Sequence, residues 1–186
     1  NAIDFVSSPV AYSERAEGQF TGYMALVDSI QAHGKMYFLE QDNRTIYAQV
    51  STGDTSDDSV GRTDTLKQSI NQIRRDMTFD LVRGTGMWFF DMNGGWYDDE
   101  SITDAIKQIK TEYDYHRDDG SNNEIAVYVP KDGYNYLVND HGSDDAKKTS
   151  YLMQAMYSQQ REELANLGAS YDTFMVEDAL DGTITE

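Results

Sequence analysis

Cysteine is absent from this chain of 186 residues. That excludes disulfides, zinc–thiolate centres and a thiol nucleophile, and it leaves the redox compartment open. No apolar run approaches the roughly 20 residues that a membrane-spanning helix needs, and no segment has the pattern of a signal peptide. Basic residues are few: 15 Lys and Arg stand against 33 Asp and Glu, for a formal charge of −18. A surface of that sign repels phosphate backbones and anionic lipids, so neither nucleic acid nor a membrane is an expected partner. His33, His116 and His141 lack metal-ligand spacing, and Asp118-Asp119-Gly120 lacks the ordered positions of a calcium loop. No phosphate-cradling glycine loop or serine nucleophile elbow is present. No cofactor and no metal are therefore expected.

The acidity is spread along the chain rather than gathered in a tail, which fits an ordinary acidic protein and equally a halophile's protein that stays soluble at high salt. Mutual repulsion among these carboxylates should make the fold more stable in molar potassium chloride than in dilute buffer. A melting temperature that stays flat or falls across that range would refute this. The sequence opens Asn-Ala-Ile-Asp-Phe-Val, inside an apparent strand and without an initiator Met, and it reads as part of something longer. Localisation stays open, with the cytoplasm favoured.

What is present is a 39% hydrophobic chain with repeated strand and helix patterns. Ile3 to Ser7 alternates as a strand and ends in a polar loop carrying Tyr12, Glu14 and Arg15. Tyr23, Leu26, Val27 and Ile30 have helical spacing, closed by His33-Gly34. Lys35 to Leu39 is an aromatic strand, and Gln49 to Thr63 is a long polar loop. Asp64 caps an amphipathic helix on which Leu66, Ile70, Ile73, Met77 and Leu81 recur, and Arg83-Gly84 stops it. Thr85 to Met92 is a further strand, and a helix from about Asp99 to His116 sets Ile102, Ile106, Ile109 and Tyr113 on one face. The order strand, helix, strand, helix, strand, helix demands a parallel sheet. Residues 118–123 form a linker without an apolar residue, so the domains read as 1–117 and 124–186. Beyond it lie a strand at Glu124 to Val129, a loop at Tyr134 to Leu137, a helix over Thr149 to Leu167 and a strand at Tyr171 to Val176.

The chemistry concentrates where the second strand runs into Glu40-Gln41-Asp42-Asn43-Arg44-Thr45. Charge at the end of a buried strand belongs at the carboxyl edge of a parallel sheet. Glu40 is the candidate nucleophile or base, with a salt bridge to Arg44 as the equal alternative. Asp42 and Arg44 share its parity, and Arg44 could orient a carboxylate and lower its pKa. Trp88 is a candidate platform for the apolar face of a sugar, while Phe89 and Phe90 read as core. Asp91 reads as the cap of the following turn, with an acid that supports the site from behind as the alternative. Trp96 and Tyr97 follow a Gly-Gly turn and should be partly exposed, as a cleft wall or as a cover for the next helix. Tyr12 completes the candidate substrate-binding set of Trp88, Asp42, Arg44, Tyr12 and Trp96.

Several segments resemble the later part of the β-galactosidase-like glycoside hydrolases, A-clan (β/α)8 barrels related to glycoside hydrolase family 42. They are Asp4-Phe5-Val6-Ser7-Ser8-Pro9, Asp28-Ser29-Ile30-Gln31-Ala32-His33-Gly34-Lys35, Glu40-Gln41-Asp42-Asn43-Arg44-Thr45 and Arg83-Gly84-Thr85-Gly86-Met87-Trp88-Phe89-Phe90-Asp91-Met92. The tail, from Glu124-Ile125-Ala126-Val127 through Gln159-Gln160-Arg161-Glu162-Glu163-Leu164 to Tyr171-Asp172, is similar to the start of the trimerisation-type, glutamine-amidotransferase-like domain that follows those barrels. The resemblance implies an α/β fold: the last three βα units of a TIM barrel, then the opening of a flavodoxin-like domain. It also implies that Glu40 is the nucleophile and that Trp88 lines the sugar subsite. The acid/base Glu belongs to an earlier strand that this sequence does not contain.

The function expected from this likeness is retaining hydrolysis of a β-linked glycoside, with the acid/base supplied by the missing half of the barrel and the chain inactive alone. The expected partners are a carbohydrate substrate, that missing half and further copies of the chain. The alternative is a non-catalytic carbohydrate-binding or assembly module whose aromatic strand ends hold a sugar or a partner.

Overall fold

The computed structural model describes residues 2–49, 61–116, 123–136, 151–152 and 154–185. Most of the loop expected over Gln49 to Thr63, most of the 118–123 linker, and His141 lie outside the described residues, as does the start of the helix expected from Thr149.

The chain forms two compact units. The first comprises residues 1–25 and 36–121 and holds strands β1 (Phe5–Pro9), β2 (Met36–Gln41) and β3 (Gly86–Phe89). They pair in parallel in the order β1-β2-β3, with Pro9 opposite Glu40 and Glu40 opposite Trp88. Helices α2 (Leu66–Arg83) and α3 (Glu100–His116) belong to the same unit. Thr65 caps α2 by accepting from the Gln68 amide, and Gly84 ends it in the left-handed region at φ 62°. Ile73 and Met77 of α2 meet Ile102 and Ile109 of α3, with Met87 and Phe89 of β3 packed against them. That places the odd-numbered residues of β2 and β3 toward the helices. Tyr37, Leu39 and Gln41 are accordingly buried.

The opposite face of the sheet carries Phe5 and Ser7 of β1, Phe38 and Glu40 of β2, and Gly86 and Trp88 of β3. Phe5 and Phe38 meet edge to face with centroids 5.5 Å apart. Gly86 accommodates the Phe38 ring, since a Cβ there would lie 2.8 Å from it. Phe5, Met36 and Trp88 are exposed on this side.

The second unit comprises residues 26–35 and 122–186. It contains α1 (Val27–Ala32), β4 (Ile125–Val129), a short α4 (Gly133–Tyr136), a π-helical segment at Ala155–Gln159, α5 (Gln160–Asn166), β5 (Tyr171–Met175) and α6 (Val176–Leu180). β4 and β5 pair in parallel, and Val127, Val129 and Tyr171 form the core with Leu26, Tyr157 and Leu164 against it. Buried Asp28 accepts from the Thr173 amide and hydroxyl, at 2.7 and 3.0 Å. Asp178 accepts from Ser29, His33 and the Met175 amide. These carboxylates tie α1 to β5 and to the start of α6.

The expected TIM-barrel fold is corrected by this topology. In the described residues β1 and β3 each pair only with β2, so the sheet is open at both edges, whereas a barrel gives every strand two neighbours. Nor is a flavodoxin-like sheet present among the described residues: β4 and β5 form a two-stranded sheet. The periodic pattern identifies βα units, but that local signal is shared by every parallel α/β layer. Closure depends on strand number and stagger, which local periodicity does not encode. None of the helices formed by the described residues is long and apolar enough to cross a membrane.

Candidate functional site

Glu40 lies near the carboxyl end of β2, half-buried, between Pro9 and Trp88 on the neighbouring strands. Among the described residues its carboxylate has no hydrogen-bond or ion-pair partner. Desolvation, and then the nearby Asp42 charge, raise its pKa above the ordinary glutamate value. The sequence expectation was the reverse, a carboxylate kept low by Arg44.

Asp42 belongs to a different arrangement. It is buried and forms an ion pair with Arg15, whose side chain is almost fully buried. Tyr12 donates to the second Asp42 oxygen at 3.2 Å, and its ring lies 4.2 Å from the Arg15 guanidinium carbon. Burial and the Asp42 charge raise the Tyr12 pKa, which keeps its hydroxyl a donor. Arg15 therefore stands where Arg44 was expected. Sequence reasoning placed it in the loop after β1, but a pairing across 27 positions leaves no trace in spacing. Arg44 is half-buried, and its carbonyl accepts from the Thr63 amide at 3.0 Å.

Trp88 is 41% exposed on the same face as Glu40. Its indole N–H donates to Ser7 Oγ at 3.0 Å, and its ring lies 5.5 Å from that of Phe90. The indole on β3 is thus tied across β2 to β1, on the face of the sheet that carries Glu40. Trp96 departs from its expected place on a cleft wall. It is only 2% exposed, its amide donates to both Asp91 oxygens, and its carbonyl accepts from Thr45 Oγ1. The Gly94-Gly95 turn folds the indole inward, and Asp91 caps that turn. Tyr97 donates to the carbonyls of Gln41 and Asn43, bracing the segment that follows Glu40.

Beneath this segment lies a polar layer that sequence reasoning missed. Asp76 of α2 is fully buried and accepts from Thr21 Oγ1 at 2.6 Å, Arg75 Nε at 2.8 Å, Gln41 Nε2 at 3.3 Å and Asn43 Nδ2. One turn on, Asp80 accepts from Tyr23 at 2.6 Å and from Thr85 at 2.5 Å. Burial pushes its pKa up to about 7. Asp76 thereby joins the loop after β1 and the end of β2 to α2, which fixes the backbone from which Glu40 projects. The described residues hold no cluster of three or more acidic, His or Cys side chains suited to a metal ion.

Comparison of the chain with family models, curated proteins and solved structures gives no match.

Proposed function

We propose that the carboxyl edge of the first unit's sheet processes carbohydrate, with Glu40 attacking the anomeric carbon of a β-linked glycoside. The observation that carries this is the division of labour among the strand-end carboxylates. Asp42 is committed to Arg15 and Tyr12, Asp91 to the Trp96 amide, and Glu40 is left half-open beside an exposed indole. A carboxylate next to a flat apolar ring suits a sugar, whose ring face stacks while its anomeric carbon meets the oxygen.

In the reaction a Glu40 oxygen bonds to the anomeric carbon as the bond to the leaving oxygen breaks, and that oxygen needs a proton. Both Asp42 oxygens are already engaged, by Arg15 and Tyr12. The acid would come from another segment or chain, which is also how we read the exposed Phe5, Met36 and Trp88. An activated substrate removes this requirement, because dinitrophenolate leaves without a proton.

The test is to incubate the chain with a dinitrophenyl 2-fluoro-β-galactoside and map peptides by mass. One sugar adduct is expected on Glu40. Only the ionised form attacks, so labelling should accelerate with pH. Because desolvation raises the Glu40 pKa, that limb should lie above that of an ordinary glutamate. A label on Asp42 or Asp91, or none at all, rejects the proposal. The exposed aromatic face also favours a second reading, a non-catalytic carbohydrate-binding or assembly module. That module would bind sugar or self-associate without being labelled.

A further inference from the structure

We infer that the first unit carries a separate binding site for a neutral, hydroxyl-rich ligand, a sugar ring or a comparable polyol. It is the cavity of about 380 Å³ bounded by Glu17, Gly18 and Gln19 after β1, by Thr63, and by Gln68, Asn71, Gln72 and Arg75 along the first turns of α2. The inference does not rest on Glu40 acting as a nucleophile.

The walls are braced before any ligand arrives. Arg75 donates to the carbonyls of Arg15, Ala16 and Gln19 at 2.9 to 3.1 Å while pairing with Asp76, so it holds the post-β1 loop onto α2. Gln72 donates its side-chain nitrogen to the carbonyls of Arg15 and Gly61, and Gln68 donates to Glu17. A frame fixed in this way loses little freedom on binding.

What is left over defines the ligand. Gln72 is 7% exposed, and its Oε1 accepts no bond among the described residues. The side-chain nitrogen of Gln19 donates none among them, its oxygen being taken by the Ala16 amide. Asn71 has both its donor and its acceptor free among the described residues. Adjacent free donors and acceptors match hydroxyl groups, each of which gives one hydrogen bond and accepts others. The Arg75 guanidinium is already engaged and the chain carries a net charge of −18, so an anion is disfavoured. One carboxylate, Glu17, is too few for a divalent cation bound by protein oxygens. The lining contains no aromatic or large aliphatic side chain, which argues against an apolar ligand.

The experiment is a calorimetric titration of the full chain with methyl β-galactoside. Saturable binding on the order of millimolar is expected. Asn71→Leu removes exposed polar groups with no part in the bracing, Gln19→Leu removes a free donor together with the acceptor of the Ala16 amide, and each should weaken binding about tenfold. In a Trp88→Ala background, which disables the proposed hydrolytic site, this saturable binding and its weakening by Asn71→Leu should persist. Absence of saturation up to about 100 mM, parental affinity in both leucine variants, or loss of binding in Trp88→Ala would overturn the inference. Binding that survives Glu40→Gln while Glu40 labelling fails would separate this site from the proposed hydrolytic one.

Discussion

Asp76→Ala should cost the first unit about 3–5 kcal/mol, the range found when one partner of a buried charged network is removed. Asp76 is fully buried, and the substitution strands the amide groups of Gln41 and Asn43, the Thr21 hydroxyl and part of the Arg75 guanidinium. Buried donors without partners cost roughly 1–3 kcal/mol each, and structural relaxation recovers some of that. Asp76→Asn should be nearly as damaging, because its amide nitrogen would face donors. Both tryptophans of the chain, Trp88 and Trp96, lie in the first unit, so fluorescence during urea unfolding reports on this unit directly. A midpoint shift equivalent to less than about 1 kcal/mol would mean that water replaces the carboxylate without penalty.

The second large effect depends on pH. Burial raises the Asp80 pKa from 3.8 to about 7, even though hydrogen bonds from Thr85 and Tyr23 oppose the rise and the Asp76 charge adds to it. A carboxyl whose folded pKa is raised binds its proton more tightly in the folded state. It therefore contributes fully below the unfolded value, and the contribution is lost as pH rises through the folded value. The window runs from about 4 to about 7, and a shift of this size corresponds to about 4 kcal/mol. The first unit should be measurably weaker at pH 8 than at pH 5 on this account. Asp80→Asn removes the proton exchange and keeps the shape, so the difference between variant and parent should grow across that window and level off above it. Parallel stability curves for the two proteins would show that Asp80 ionises freely when folded.

These two carboxylates also mark where sequence reading stops. Ile70, Ile73 and Met77 announced the face of α2 that meets α3, because apolar residues recurring at helical spacing form a stripe that folding must bury. Ser69, Gln72, Asp76 and Asp80 lie on another stripe of the same helix and are just as buried. Read alone, a stripe of polar residues is a solvated face. Its burial follows from partners far along the chain, Thr21, Tyr23, Gln41 and Asn43, whose convergence is a tertiary fact. The same holds at the candidate site. The position of Glu40 and Trp88 toward the ends of neighbouring strands was legible because a strand running into charge is visible locally, and their shared face follows from the pleat. The Arg15–Asp42 pair and the burial of Trp96 were not legible, since each depends on how a loop folds back. The barrel expectation failed for a related reason, as no residue in β1 or β3 declares whether another strand lies beside it.

The route of the chain through the second unit carries a consequence for its folding kinetics. Residues 26–35 lie between β1 and β2 in sequence, yet they pack with the second unit, where Asp28 meets Thr173 and His33 meets Asp178 across 145 positions. Closure of so long a loop must precede the contacts that reward it, so chain topology should slow the formation of this unit. On a ribosome, α1 would emerge early and wait unpartnered until β5 had been synthesised.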